Sequence, residues 1–272
     1  MPSEVDDEYE FGVLPGITFV KWSSLRIPAG GLAIGLNSDG ESMTSVVMET
    51  HIPMWIHWLD ICHQHVKTTA GARKASLEAR RRGETEAPHD SMHAEFQAAV
   101  QAISAAAFAM EAFSNTLDDL GVVNAETRER WAKKRPWAAD KVVDTVLAAC
   151  GNSPSAIDRE SIVKIFHARN GAVHPKVEFR EAVLHPALKL GVDQALITYG
   201  AEHAAAAMSH AATLIARTLI DAQPHSEAVE QWIESTKDMF AEFAREREFR
   251  VQDGDRRLQE LLDRRQRQGD GG

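Results

Sequence analysis

Cysteine is scarce in this sequence. Among 272 residues only Cys62 and Cys150 are cysteines, in different segments and without metal-ligand spacing, which argues against a disulfide framework and a thiolate metal centre. Aromatic residues are also few, at 7%, and alanine dominates the apolar ones, a balance that favours packed helices over sheets. No apolar run reads as long enough to span a membrane, so no membrane partner is expected. The N-terminal MPSEVDDEYE is acidic and lacks the basic and apolar regions of a secretory signal. Excess positive charge is missing too. The formal net charge of −10 argues against a general nucleic-acid coat, while leaving room for a local basic cleft. Together these absences predict a cytoplasmic, reducing setting, and they imply no cofactor.

What is present is a hydrophobic fraction of 44%, that of a globular chain large enough for one sizeable domain or two small ones. Residues 1–50 stand apart. The runs at 17–22, 31–36 and 45–50 are β-prone, and Pro28, Gly30, Gly31, Asn37, Asp39 and Gly40 punctuate them as turns do, predicting a small antiparallel sheet. Residues 51–93 read as a helix from Pro53, with Trp55, Trp58, Leu59, Cys62 and Val66 on one stripe, followed by a polar linker over 67–91. His57, His63 and His65 on that helix face different ways and read as surface histidines, not a metal site.

A long amphipathic helix is predicted over 94–117, where Phe96, Val100, Ile103, Ala107, Met110, Phe113 and Leu117 step by three or four. Glu111 and Asn115 sit one turn apart on its flank. Beyond a polar stretch from Asn124, Lys133, Lys134 and Arg135 lie between Trp131 and Trp137, a pattern that suits phosphate pairing and base stacking on RNA, or packing at a helix start. A helix over 138–150 follows, stopped at 151–154. Residues 176–191 look irregular, a long small-faced helix covers 193–222, and a further helix capped by Ser226 precedes a mixed-charge tail. On the long helix, His203 and His210 are two turns apart, on the order of 10 Å, too far to share a metal; they read as two half-exposed histidines, with the lining of a cleft as the alternative.

The stretch 159–175 reads RESIVKIFHARNGAVHP. Ile162, Val163, Phe166 and Val173 form its apolar stripe, Arg169 and Asn170 fall on or beside that stripe, and His174 is followed by Pro175, which ends the helix. An arginine on the inner side of a helix asks for a partner, since an unpaired buried charge is costly. The spacing Arg-x-x-x-x-His and its looser variants recur at Arg82–His89 and Arg180–His185, but only Arg169 is followed by an amide and flanked by helices.

Arg169-Asn170-x-x-x-His174, together with the tract ISAAAFAMEAFSNTL at 103–117 and the helix order long, short, motif-bearing, long, resembles the HEPN superfamily (higher eukaryotes and prokaryotes nucleotide-binding). The likeness covers 94–222. It implies a mainly α fold: an up-down four- or five-helix bundle over 94–223, with the β-rich region 1–50, the helix and linker 51–93, and a helix and charged tail over 224–272 outside it. It further implies a metal-independent endoribonuclease that acts in a homodimer with the active site at the interface. In that reading Arg169 holds the scissile phosphate, Asn170 orients it, His174 moves the proton, and Glu111 and Asn115 support Arg169. The partners implied are RNA and an antitoxin or regulatory protein, in a toxin–antitoxin or phage-defence setting. Two other readings stay open: a HEPN-like module that binds a nucleotide, RNA or protein without cleaving, and a structural helical domain with an Arg169–Glu111 pair.

Overall fold

A computed structural model of the chain describes residues 21–26, 32–36, 42–46, 49–84, 87–151, 158–174, 181–249 and 259–261. The expected strand over 17–20, the helix stop over 152–154, Pro175 and nearly all of the C-terminal tail lie outside these residues. The chain divides into two compact units, Met1–Pro53 and Met54–Gly272.

In the first unit, β1 (Ser24–Arg26) pairs antiparallel with β4 (Glu49–His51), and β2 (Leu32–Leu36) pairs antiparallel with β3 (Ser42–Val46). These are two separate two-stranded ladders where one small sheet was expected. Lys21 and Trp22 belong to a turn, with Trp22 at φ 60°, and are not part of the predicted strand.

The second unit is helical. Its elements are α1 (Met54–Arg81), α2 (Ala87–Asp119), α3 (Ala125–Lys134), α4 (Ala138–Ala149), α5 (Arg159–Val173), the strand pair β5 (Val183–Leu184) and β6 (Gly191–Val192), α6 (Gln194–Thr198), α7 (Ala201–Asp221) and α8 (Glu227–Glu246). The mainly helical class expected from composition is what the chain adopts. α2 lies at the centre and packs against α1, α4, α5 and α7. Ala99, Ala102, Ala106 and Ala109 on α2 are fully buried, so the neighbouring backbones approach closely. Phe113 carries the aromatic part of this core, edge-on to Trp55 at 5.7 Å and tilted against Trp232 at 5.8 Å. By length and mean hydropathy, 1.2, the α2 segment His89–Asp119 is apolar enough to cross a membrane, contrary to the reading of the bare sequence; 56% of that apolar window is buried inside the protein.

Four expectations are corrected. The polar linker at 67–91 is mostly helix: α1 continues to Arg81 and α2 begins at Ala87. The reason is that Thr69, Arg73, Ser76 and Ala79 continue the buried stripe at helical spacing, three of them with polar side chains. Their hydrogen-bonding groups are satisfied: Thr69 Oγ1 donates to the Val66 carbonyl at 2.7 Å within α1, and Ser76 Oγ meets Ser91 Oγ of α2 at 2.7 Å. The polar stretch after Asn124 is helix α3, with the Asn124 side chain accepting from the Thr127 N–H at 2.8 Å and Arg135 closing it in the left-handed region. The helix expected over 193–222 is broken at Tyr199 and Gly200 into α6 and α7. Val173, assigned to the buried stripe of α5, is 57% exposed, and that stripe consists of Ile162, Ile165 and Phe166.

One buried charge joins several of these elements. Arg73 on α1 donates from Nε to Glu95 Oε2 on α2 at 2.8 Å and from Nη2 to Glu95 Oε1, a two-pronged pair, and from Nη1 to Glu202 Oε1 on α7 at 2.6 Å. Glu95 Oε1 also accepts the Ala201 N–H at the start of α7, at 2.9 Å. Gly200 lies against this pair: a Cβ there would stand 3.2 Å from both Arg73 Nη2 and the Ile197 carbonyl. His185, in the β5–β6 connection, places Nε2 3.4 Å from Arg73 Nη2. Its Nδ1 accepts the N–H groups of Ala187 and Leu188, each at 3.2 Å.

Breaking a buried pair costs more than replacing it, because the survivor is left charged and unsolvated. Arg73→Met is expected to lower the urea-unfolding free energy by about 3–5 kcal/mol. Adding Glu95→Gln, which removes the orphaned charge but keeps an acceptor for Ala201, should restore more than half of that loss. Burial, and then the positive Arg73, lower the pKa of His185 below the ordinary histidine value. Protonation would also set a hydrogen on Nδ1 against two backbone donors. The unfolded chain therefore takes up a proton on this residue that the folded chain refuses, so its contribution to stability is complete above about pH 6.5 and is lost as pH falls below that value. Melting temperature measured from pH 7.5 to 5.5 should fall for the native chain and fall less for His185→Asn, which keeps an acceptor but does not titrate.

Candidate functional site

α5 carries the motif because its ends are well defined. The Asp158 side chain accepts the Ser161 N–H at 3.1 Å as N-cap, and the helix ends with the His174 N–H donating to the Asn170 carbonyl at 2.8 Å. Gly171 inside it, normally unfavourable by about 1 kcal/mol, has a local cause. A Cβ there would lie 3.1 Å from Tyr199 Oη, which itself donates to the Ala168 carbonyl at 2.7 Å.

Arg169 turns toward α2. Its guanidinium carbon lies 4.9 Å from the ring centre of Phe108 and 5.9 Å from that of Phe166. Nη1 donates to Asn170 Oδ1 at 2.9 Å and Nη2 to Glu111 Oε2 at 2.9 Å. The Arg169 side chain keeps 21% of its exposure and that of Glu111 34%, so the pair faces the surface. Arg169, Asn170 and Glu111 are thus brought together. Asn115, one turn beyond Glu111, is exposed, and His174 is exposed at the C-cap. Five residues at about 100° each put His174 roughly 140° around the helix from Arg169, so the imidazole and the guanidinium leave α5 on different sides.

Lys133, Lys134 and Arg135 are exposed at the C-terminal end of α3. The two tryptophans flanking them differ. Trp131 is used in packing, its indole N–H donating to Asp144 at 2.9 Å, whereas Trp137 is 55% exposed and meets His167 of α5 edge-on at 4.7 Å. The basic triplet therefore leads to the outward face of the motif helix, next to His167.

A second feature of α5 is the cleft of about 540 Å³ that it forms with α7. His203 and His210 line it, which is the alternative to simple half-exposed histidines, and so do His167 and Lys164 of α5. The spacing of Lys164 and His167 within one helical turn would have put them on one face, yet nothing in the sequence showed that this face meets α7. The Arg73–Glu95–His185 network was also not anticipated, since Arg73 and Glu95 were read as linker and helix edge. Among the described residues no group of three or more His, Cys, Asp or Glu is arranged to hold a metal.

No family model, curated protein or solved structure matches the chain.

Neither cysteine is placed for nucleophilic work. Cys62 and Cys150 are buried, at 0% and 1% exposure, and burial pushes each thiol up to about 12. Native protein at pH 7.5 should leave Ellman's reagent unreacted over an hour, and two thiols should titrate once urea unfolds the chain.

Proposed function

We propose that this protein is a metal-independent endoribonuclease of HEPN type. The observation that carries the reading is a guanidinium held on two sides, by Glu111 and Asn170, on a helix whose C-cap is an exposed imidazole. Each terminal nitrogen of Arg169 makes one of these bonds and carries a second N–H, so a phosphodiester can be gripped while Glu111 stays in place. The ribose 2′-oxygen attacks phosphorus, the bond to the 5′-oxygen breaks, and the product ends in a 2′,3′-cyclic phosphate. His174 takes the 2′-hydroxyl proton or supplies one to the leaving oxygen, and Arg169 offsets the charge that develops on the phosphoryl oxygens. A single imidazole serves one of these two transfers. A homodimer with the motif helices across the interface brings the second, which supports the two-fold arrangement the resemblance implies. Lys133, Lys134 and Arg135 then carry the flanking RNA phosphates, and an antitoxin or regulatory protein would hold such a cytoplasmic nuclease in check in a toxin–antitoxin or phage-defence setting.

A second reading, a non-catalytic HEPN-like module for RNA or nucleotide, is favoured by one observation. Glu111 already neutralises Arg169, and His174 stands on another side of the helix.

The two readings separate in one experiment. Labelled single-stranded RNA is incubated with the purified protein in EDTA, beside Arg169→Ala and His174→Ala, and binding is followed in parallel. Cleavage to cyclic-phosphate ends by the native chain, reduced about 10²-fold or more in each variant, supports the nuclease. Retained RNA binding that Arg169→Ala weakens, with no cleavage by any of the three, supports the binding module. Equal cleavage by all three refutes the assignment of Arg169 and His174.

A further inference from the structure

We propose that the α5–α7 cleft is a binding site for a small flat organic anion, separate from the Arg169 motif. Its size, about 540 Å³, is that of a small-molecule pocket. Ile103, Ile165, Ala168, Ala206 and Ala207 give it apolar walls, and the consecutive alanines of α7 are what keep the two helices from filling the space with side chains. Beside the hydroxyl groups of Ser161, Thr198 and Tyr199, the ionisable side chains that line it are basic, apart from the phenol. Lys164, His167, His203 and His210 all line the cleft, and no Asp or Glu does, in a chain with 40 acidic residues against 30 Lys and Arg. Two carboxylates at the start of α5, outside the lining, meet these groups: Glu160 pairs with Lys164 at 2.6 Å, and Asp158 lies 3.8 Å from His210 Nδ1. His203 is fixed by the carbonyl of Ile197, to which Nδ1 donates at 3.0 Å, so Nε2 offers an anion a second N–H only in the imidazolium form. Tyr199 Oη is already used on the Ala168 carbonyl, so the phenol serves as wall and the imidazoles and ammonium as the polar end.

Apolar walls with one ammonium and three imidazoles at the polar end select an occupant with an aromatic body and one acidic head group. A purely apolar ligand would waste the four nitrogen-bearing side chains, and an inorganic anion would leave the walls wet. None of Arg169, Asn170, His174 or Glu111 lines the cleft, so this site stands or falls independently of RNA cleavage.

The probe is 1-anilinonaphthalene-8-sulfonate, with N-phenyl-1-naphthylamine as the same body lacking the charge. Fluorescence titration of the full chain should show saturable one-to-one binding of the sulfonate and binding at least tenfold weaker for the neutral amine. Ala206→Leu, which fills the cleft from an exposed position on α7, should weaken the sulfonate at least tenfold with circular dichroism unchanged. Should that variant misfold, His203→Gln with His210→Gln provides the second arm: the sulfonate should weaken at least fivefold and the amine should not. Displacement by 2-naphthoate or by 1-naphthyl phosphate identifies the head group as carboxylate or phosphate. Equal binding of the two probes, unsaturable binding, displacement by neither competitor, or no response to the histidine pair would overturn the proposal.

Discussion

Arg73 is where the helical unit is tied together. Its guanidinium reaches a carboxylate on α2, another on α7 and the imidazole of the β5–β6 connection, all from the middle of α1. An alanine-lined core explains why such a tie is needed. Buried Ala99, Ala102, Ala106 and Ala109 let helices come close, but short identical side chains offer little to distinguish one sliding register from the next. A two-pronged guanidinium–carboxylate pair fixes both distance and orientation. Its net contribution to stability is small once desolvation is counted; its effect is to make one packing arrangement satisfied and its neighbours costly. Gly200 fits the same logic, since any side chain there would press on the pair.

The long helices were readable from the sequence because their buried faces are apolar and regular. Phe113, Met110, Ile103 and Leu117 on α2, or Val229, Ile233, Phe240 and Phe243 on α8, announce themselves by spacing alone. The second half of α1 was not, for the same reason inverted. Its buried face holds Thr69, Arg73 and Ser76, and the last two have partners 15 to 129 positions away. A pattern of hydrophobicity cannot register a charge that becomes internal only when Glu95 and Glu202 arrive. The α6–α7 break was hidden likewise, because Gly200 and Tyr199 look like tolerable helix residues until the Arg73 pair and Ala168 claim the space beside them. At the candidate site, the Arg169–Glu111 contact was one of the alternatives that an inward arginine left open, beside a plain surface position for Glu111. The exposure of Val173 and the outward turn of His174 were not legible, since both depend on where α5 ends.

α5 divides its circumference among three tasks. Ile162 and Phe166 anchor it to α2, with Arg169 at the edge of that face. Lys164, Ala168 and Gly171 open toward α7 and the cleft. His167, which also lines the cleft, meets Trp137, and His174 follows about two turns later. One helix thus presents a fixed cation and an exposed imidazole to different neighbours. On the nuclease reading, convergence has to come from outside the protomer, from the path of the RNA or from a second chain.

The Arg73–Glu95 and Arg169–Glu111 pairs are chemically alike and physically opposite. In the Arg73–Glu95 pair the side chains are 9% and 5% exposed, so no solvent or ligand can replace either partner, and the pair is architecture. In the Arg169–Glu111 pair they are 21% and 34% exposed. A pair with that much access to water contributes on the order of 1 kcal/mol or less, so a phosphate that approached Arg169 would have little to displace. The flanking rings of Phe108 and Phe166 keep the guanidinium in its plane while its outer edge remains reachable. Glu111 at such a position holds the arginine ready without consuming it. That difference in burial, not the Arg-to-His spacing, separates the structural pair at Arg73 from the pair at Arg169 on which the nuclease proposal rests.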